Sequence, residues 1–276
     1  RMFRDNYLFP ICGAIWSTPT AGIGSFPAHA LIRFMRNHAL LSATSQHQWW
    51  TVAGGSRNYV ERLQAALLRN GTTIRTGSPV TSVARHADRV TVHAASCEGE
   101  TFDQVVFATH ADQTLTMLED GTGDERETLG AIRFQPNRAI LHRDPAVMPR
   151  RRRCWSSWVY RTERMPQESG NDAASGVGVS YWMNRLQSIP ESEPLFVSLN
   201  PELSIPDEAI YDETMFSHPL FDHAAIAAQG RIASMQGQRR TWFAGAWIRN
   251  GFHEDGFASA VRIARRLALR RVHEPV

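Results

Sequence analysis

With 276 residues, the chain is long enough for one large domain or for two domains that share it. Hydrophobic residues make up 42% and charged residues 21% of it, which is the balance of a folded globular protein and not of a disordered one. A formal net charge of only +3 is too small to indicate nucleic-acid binding, and no stretch is long and apolar enough to span a bilayer.

All 30 basic residues are arginine. The absence of lysine excludes a Schiff-base lysine, a P-loop lysine and a lysine general base. The densest run of charge, residues 150–153, is either a solvated loop or a surface for an acidic ligand, a phosphate or a membrane. Nothing else in the sequence supports peripheral membrane contact.

The three cysteines, Cys12, Cys97 and Cys154, are odd in number and form no CxxC pair, so neither a zinc knuckle nor a dithiol motif is predicted. Thiols without a disulfide framework are typical of a reducing compartment, and we expect the protein in the cytoplasm. No signal peptide is predicted, because the first residues are charged and lack an apolar core. Since the chain begins with arginine, we expect it to be processed or to be a piece of a longer protein.

The first part of the chain is predicted to be loops followed by one helix, over residues 28–37. A strand-like run and a Gly-Gly-Ser turn then lead to an amphipathic helix that ends at Gly71. The apolar run over residues 102–109 predicts a strand covered on both faces. The remaining predictions here are β segments over residues 49–52, 73–75, 80–84 and 90–93, and a helix face formed by Tyr59, Val60, Leu63, Ala66 and Leu67.

Residues 113–235 alternate β-like segments with polar loops, which predicts a mostly antiparallel sheet. A Gly- and Ser-rich loop over residues 163–175 is predicted to be mobile. A short strand over 240–244 and a helix over 256–269 close the chain. The predicted strands of the sheet are 133–142, 155–161, 177–182, 195–199 and 210–216, and the residues predicted to face inward from the last helix are Phe257, Val261, Ala264, Leu267 and Ala268.

The segment TWFAGAWIRNGFHEDGFASA, residues 241–260, carries the strongest functional signal. It reads as a strand, a turn at Gly245, and a helix whose first turn Asp255 could cap. Small residues at its start allow a close approach to the backbone, and helix-start N–H groups attract negative charge. From these residues alone, an ordinary helix start packed on a sheet explains the pattern equally well.

FAGAW…GFHEDG resembles the C-terminal FAD-binding signature of the flavin-containing amine oxidase superfamily. Its form is most similar to a bacterial subgroup of predicted NAD/FAD-binding, amine-oxidase-like flavoproteins. Two departures are Ala246, where an acidic residue is usual, and an extra residue between Glu254 and Gly256. The resemblance implies FAD as cofactor, with these residues binding it: Gly245, Ala246, Phe252, Asp255, Gly256, Phe257 and Ala258.

Further stretches resemble the same family in the correct order, so that the likeness covers nearly the whole chain. AGGSRNYVERL resembles the Gly-Gly turn, and this places Gly54, Gly55 and Ser56 near the flavin. SPVTSV resembles the strand whose main chain, at Val80, touches the adenine. FDQVVFATHADQTL resembles the step beside the pyrophosphate, at Ala108, Thr109 and His110, while YWMNRLQ, LNP and HPLFD match the antiparallel insert.

The family's opening GxGxxG turn has no counterpart in this chain, and Gly22-Ile23-Gly24 is predicted to be a loop. The predicted fold is therefore α/β: an incomplete Rossmann-like FAD-binding domain (46–112 and 240–276) interleaved with a mostly antiparallel-sheet substrate domain (1–45 and 113–239). We expect a dinucleotide-binding unit upstream of Arg1. We also expect weak FAD binding by the 276 residues alone.

His253 and Glu254 are the candidate catalytic residues, because a histidine beside a flavin could move protons; the alternative is a structural histidine at a helix start. Without lysine, the resemblance does not imply amine oxidation. No metal-ligand spacing is found among His38, His47 and His142. The residues Trp155, Trp158, Tyr181 and Trp182 either line an apolar substrate cavity or form core.

The sequence therefore predicts an FAD-dependent oxidoreductase that passes hydride from a small apolar organic substrate to flavin N5. The alternative is a non-catalytic remnant or binding module with the same fold. A hydrolase is disfavoured, since the chain has no GxSxG motif. No nucleic-acid partner is expected.

Overall fold

The computed structural model describes residues 2–18, 20–41, 48, 50–95, 97–161, 178–201 and 203–273. The chain forms two compact units, each built from two stretches of sequence. The first unit contains residues 1–74 and 135–218, and the second contains residues 75–134 and 219–276. The predicted mixture of helices with antiparallel sheet is confirmed, and the chain leaves and re-enters each unit.

The helices and strands are numbered in chain order. The helices are α1 (Phe9–Trp16), α2 (Thr20–Ile23), α3 (Ala28–Asn37), α4 (Ser56–Arg69), α5 (Ala111–Met117), α6 (Gly123–Gly130), α7 (Met183–Gln187), α8 (His223–Met235) and α9 (His253–His273). The strands are β1 (Val80–Arg85), β2 (Val90–Ala94), β3 (Cys97–Phe102), β4 (Val105–Phe107), β5 (Phe134–His142), β6 (Trp158–Arg161), β7 (Gly178–Trp182), β8 (Phe196–Leu199), β9 (Ile210–Pro219) and β10 (Thr241–Phe243). No described helix has the length and apolar content needed to cross a membrane.

In the first unit, five strands form one sheet in the order β6-β7-β8-β5-β9. The described pairings of β6 with β7, β7 with β8, and β8 with β5 are antiparallel, as predicted. Alternate residues of a strand point to opposite faces. One face packs Ile140, Trp182 and Phe196 into a core, and the other packs Val179 against Ala14 of α1.

The second unit holds two small sheets. β1, β2 and β3 form an antiparallel sheet, and β10 pairs with β4 in parallel. The core between the sheets and helices α5, α6 and α8 is apolar, and Phe107, Leu129, Ile232 and Phe243 are among its members. Burying each such side chain contributes about 1.5–3 kcal/mol.

The prediction of one strand over residues 102–109, covered on both faces, is wrong. The chain bends after Phe102, so that β3 and β4 belong to different sheets. Val106 keeps 43% of its surface exposed, and the apolar run is therefore only half covered. Apolar content alone could not locate the bend at Asp103, although aspartate is common in turns.

Several helices were missed. Residues 4–16 are helical although loops were predicted there: a π-helical turn, Arg4–Leu8, continues directly into α1, whose second residue is Pro10. Helices α5, α6 and α8 were also not predicted, although Thr122 with Glu125 forms a capping box and Asp222 caps α8. No strand forms over residues 73–75 or 50–52. His47, Trp49 and the predicted loop over 163–175 lie outside the described residues.

The helix over residues 56–69 is confirmed, but none of its residues is buried. The inward face predicted for the last helix is right only in part: Leu267 packs on the cluster that contains Ile263, but Ala264 and Ala268 are exposed. Phe257 is 61% exposed, whereas Asp255, Ser259 and Ile263 are buried. Two of these three residues are polar, and a hydrophobic periodicity could not select them.

A buried ion pair joins the elements of the second unit. The Arg85 side chain is fully buried and donates two hydrogen bonds to Glu125, one of 2.8 Å from Nη2 to Oε2. Its Nε donates to Asp120 at 2.8 Å, and Nη1 reaches Thr241 Oγ1 of β10 at 3.4 Å. Burial alone would raise the pKa of Glu125, but the hydrogen bonds from Arg85 and the Thr122 amide outweigh burial and lower it.

We expect Glu125→Gln to lower the free energy of unfolding by about 3–5 kcal/mol at neutral pH, because Arg85 is left buried without its full countercharge. The matched control is Glu100→Gln, which breaks an exposed pair with Arg75 and should change stability far less. Chemical denaturation of the two variants measures both effects. Equal losses in the two variants would contradict the assignment.

The same pair predicts a dependence on pH. Since the folded-state pKa of Glu125 is lowered, its contribution is complete above the ordinary carboxylate pKa and is lost as pH falls through the lowered value. The difference in stability between the wild-type protein and Glu125→Gln should therefore shrink in acid. A difference that grew on acidification would have the wrong sign.

Candidate functional site

The candidate site lies where two neighbouring parallel strands end. Thr241 pairs with Val105 and Phe243 with Phe107, and the Ala244 amide continues the ladder by donating to the Phe107 carbonyl at 2.8 Å. The segments that follow β4 and β10 therefore emerge side by side. Ligands of open α/β sheets bind at this carboxyl edge. The predicted residues Ala108, Thr109, Gly245 and Ala246 all lie there.

Trp247 ties the two segments together. Its indole Nε1 donates to the Thr109 carbonyl at 3.0 Å, and the side chain is buried in the core. Gly245 has a φ of +153°, and a Cβ there would lie 2.4 Å from that indole nitrogen. Glycine is thus required at this position by the Trp247 ring.

Helix α9 starts against this turn. Gly256 packs on Ala246, with 3.5 Å between a Cβ built on Gly256 and the Ala246 nitrogen, which is ordinary contact. The Gly245 amide donates to Ser259 Oγ of the same helix at 3.0 Å. Ala258 is half-buried, whereas Phe257 points its apolar ring largely to solvent.

Asp255 acts differently from the predicted helix cap. Its buried carboxylate accepts hydrogen bonds from the preceding amides of Asn250 at 3.3 Å and Phe252 at 3.2 Å. The Phe252 carbonyl in turn accepts the amides of Asp255 and Gly256. Because these amides already donate hydrogen bonds within the protein, they are not available for the anion attraction that the sequence predicted at the helix start.

The predicted catalytic residues His253 and Glu254 are both exposed in the first turn of α9. They follow Phe252, which is half-buried. The α9 start thus places two titratable side chains close in sequence to the Gly245 turn.

His110 follows Thr109 in the segment that the resemblance places beside the pyrophosphate. Its ring stacks on Phe134 with 4.2 Å between ring centres and 12° between planes. Within the described part of the chain, its Nδ1 is buried without a hydrogen-bond partner. A buried polar atom without a partner is rare in native proteins and often marks an absent ligand or water.

Together these features fit the edge of an FAD site. Ala108 is exposed, Gly245 and Ala246 are half-buried, and His110 offers a nitrogen without a partner among the described residues. A long ligand with many polar atoms needs accessible residues and polar partners of this kind. Val80, predicted to lie at the adenine, begins β1 and is exposed.

The Gly-Gly turn belongs to the first unit. Gly54 and Gly55 have φ values of +77° and +84°, and a Cβ on Gly54 would lie 2.4 Å from Asn58 Nδ2. Asn58 donates to the Ala53 carbonyl at 2.8 Å, and Ser56 begins α4. The turn requires glycine for its own conformation, and a shallow pocket of about 200 Å³ lies beside it, lined by Val52, Ala53, Asn58, Tyr59 and Arg62.

The sheet of the first unit divides the four predicted substrate residues. Trp182 lies on the core face and meets Trp155 edge-on at 5.2 Å. Trp158 and Tyr181 form a second edge-on pair at 5.7 Å, and Tyr181 packs on the opposite face, where burial raises the pKa of its hydroxyl. A single cavity on one face therefore takes at most one of the two pairs.

We expect Gly245→Ala to destabilise the protein by about 1–3 kcal/mol, because the added methyl overpacks against Trp247. The matched control is Gly230→Ala in α8, where a Cβ meets open space and the better helix former should add about 0.5–1 kcal/mol. Denaturant midpoints give both values. Changes of the same sign would contradict this account of the turn.

Comparison with known proteins also indicates a flavin-binding family. The family described as flavin containing amine oxidoreductase matches residues 11–141, which include the Gly-Gly turn, β1 and the segment after β4 but not residues 241–260. No curated protein sequence matches the chain.

Solved structures share the fold. A CLA-producing fatty acid isomerase from P. acnes is 17% identical with a TM-score of 0.66, over 94% of this chain and 63% of that one. A reduced UDP-galactopyranose mutase is 13% identical with a TM-score of 0.60, over 97% and 65%. Cyclohexylamine oxidase from Brevibacterium oxydans IH-35A is 11% identical with a TM-score of 0.56, over 95% and 64%.

At these identities the structural likeness shows the fold alone, and the chain spans about 63–65% of the length of these three structures. The family match concerns the sequence itself and implies a flavin cofactor. The resemblance predicted from the sequence is thus confirmed over residues 11–141, which match the family of flavin containing amine oxidoreductases.

Proposed function

We propose that this protein is an FAD-dependent oxidoreductase that passes hydride from a small apolar organic substrate to flavin N5. The observation that carries the proposal is the edge formed by β4 and β10 in a chain whose sequence matches a flavin family. The flavin supplies the redox chemistry, and the protein binds and orients it.

In this proposal the cofactor contacts mainly the protein main chain and apolar side chains, and not charged side chains. The residues proposed to contact it at the strand ends are Ala108, which is exposed, and Thr109, Gly245 and Ala246, which are half-buried; Val80 at the start of β1 is also exposed. Phe252 and Phe257 would supply apolar contact, with Gly256 and Ala258 leaving room for it. Asp255 would act by holding the Phe252 segment. Gly54, Gly55 and Ser56 stay cofactor contacts predicted from the sequence.

The side chains proposed to move protons are His253 and Glu254, which are exposed and titratable at the start of α9. Lysine is absent from the chain, so an amine substrate has no specific support. Trp158 and Tyr181 support an apolar substrate, because they form an aromatic pair that is only partly covered.

The first test uses the complete polypeptide that the gene encodes. After removal of bound flavin, FAD is added back and the quenching of its fluorescence gives the dissociation constant. Ala108→Asp places a charge at the exposed strand end and should weaken FAD binding by about tenfold or more, which corresponds to roughly 1.4 kcal/mol. Ala264→Asp, on an exposed part of α9, is the matched control and should bind as wild type.

The outcomes separate the two functions. Absence of flavin from the complete protein, or equal binding by both variants, would refute the proposed site. If FAD binds but anaerobic mixing with a panel of apolar substrates never bleaches the oxidised flavin band, the protein is a binding module with a flavoprotein fold. Bleaching by one of these substrates supports hydride transfer.

A further inference from the structure

Ser259 is a buried hydroxyl in α9 that the sequence motif does not mark. Only 3% of the residue is exposed. Its Oγ accepts a hydrogen bond from the Gly245 amide at 3.0 Å and donates one to the Gly256 carbonyl at 2.6 Å. A single side chain therefore joins the turn after β10 to the first part of the helix that follows.

One of these two bonds has an ordinary explanation. Serine in a helix often donates to a carbonyl three or four residues earlier, and the bond to Gly256 is of this kind. The bond from Gly245 is not, because it crosses 14 residues of chain and reaches the turn at the strand end. A serine needed only for the helix would not make it.

Hydrogen bonds hold the Gly245 turn at several points, but among the described residues only Ser259 accepts the Gly245 amide. Glycine at φ +153° has no Cβ to restrict it, and its conformation is accessible to few other residues. Trp247 fixes the far side of the turn through Thr109, whereas Ser259 fixes the Gly245 amide itself. Loss of the hydroxyl would leave that amide without its acceptor in a buried place.

We infer that Ser259 is a positioning residue for the FAD site, which sets the main chain of Gly245 and Ala246 along which the cofactor lies. This inference rests on the proposed function. It adds a residue that touches no ligand in the proposal and acts through its hydrogen bonds with Gly245 and Gly256.

The test compares Ser259→Ala with Ile263→Val in the complete protein. Ile263 lies one turn further along the same buried side of α9, so its truncation loosens the helix without removing the bridge. We expect both variants to lower Tm, but only Ser259→Ala to weaken FAD binding, by about tenfold, and to shift the absorption bands of the bound flavin. Ser259→Thr keeps the hydroxyl and should retain binding even where its extra methyl group lowers Tm.

Amide hydrogen exchange gives a second readout that needs no cofactor. The Gly245 amide should exchange at least tenfold faster in Ser259→Ala than in Ile263→Val, because its acceptor is gone. Unchanged FAD affinity and an unchanged flavin spectrum in Ser259→Ala would overturn the positioning role while leaving the proposed function intact. Failure of the wild-type protein to bind FAD would instead refute the proposed function, and slow Gly245 exchange in Ser259→Ala would then refute the bridge as well.

Discussion

The buried guanidinium of Arg85 is the constraint on which the second unit depends. A charge without solvent is tolerated only when all its hydrogen-bonding groups are directed at partners, and Arg85 meets this demand with Glu125, Asp120 and Thr241. These partners come from the start of α6, the loop before it, and β10. One side chain on β1 thereby fixes three other elements relative to each other.

The position of the candidate site follows from this arrangement. Thr241 opens β10, and two residues later the strand ends at Phe243, beside Phe107 of β4. The Gly245 turn is therefore only a few residues from the buried ion pair. A displacement of β10 would move the Gly245 turn, the Trp247 contact and the start of α9 together. The stability of the second unit and the geometry of the site therefore both depend on the position of β10.

Much of the sheet of the first unit was predictable, since its strands are apolar runs separated by polar loops. The strands over residues 133–142 and 195–199 were placed to within one residue at either end. The Gly245 turn was also predictable, because a glycine between a strand and a helix start indicates an unusual backbone. Its cause was not: the need for glycine comes from the Trp247 ring, a contact that no local pattern reveals.

Other errors have a common physical origin, which is that burial does not follow hydrophobicity where polar groups find partners. Asp255 and Ser259 are buried in α9 since each is hydrogen-bonded to the segment before the helix, while Phe257 between them is exposed. A periodicity of apolar residues therefore selected Leu267 correctly but missed Asp255 and Ser259. Similarly, the aromatic residues of the insert were grouped by proximity in sequence, but adjacent residues of a strand, such as Tyr181 and Trp182, point to opposite faces.

Charged and neutral side chains have different roles in the second unit. Arginine is the only long cation of this chain, and its described ion pairs with a buried member, from Arg85 to Glu125 and Asp120, serve folding. The turn at the strand ends is held by neutral groups instead: the Trp247 indole, which donates to the Thr109 carbonyl, the Ser259 hydroxyl, which accepts from the Gly245 amide, and the Gln229 amide, which donates to the Trp247 carbonyl at 2.8 Å. Neutral groups keep their hydrogen bonds as pH changes, whereas the Glu125 pair is lost in acid. The Gly245 turn is thus joined by neutral groups, whereas the segment that follows it is held by the buried Asp255 carboxylate.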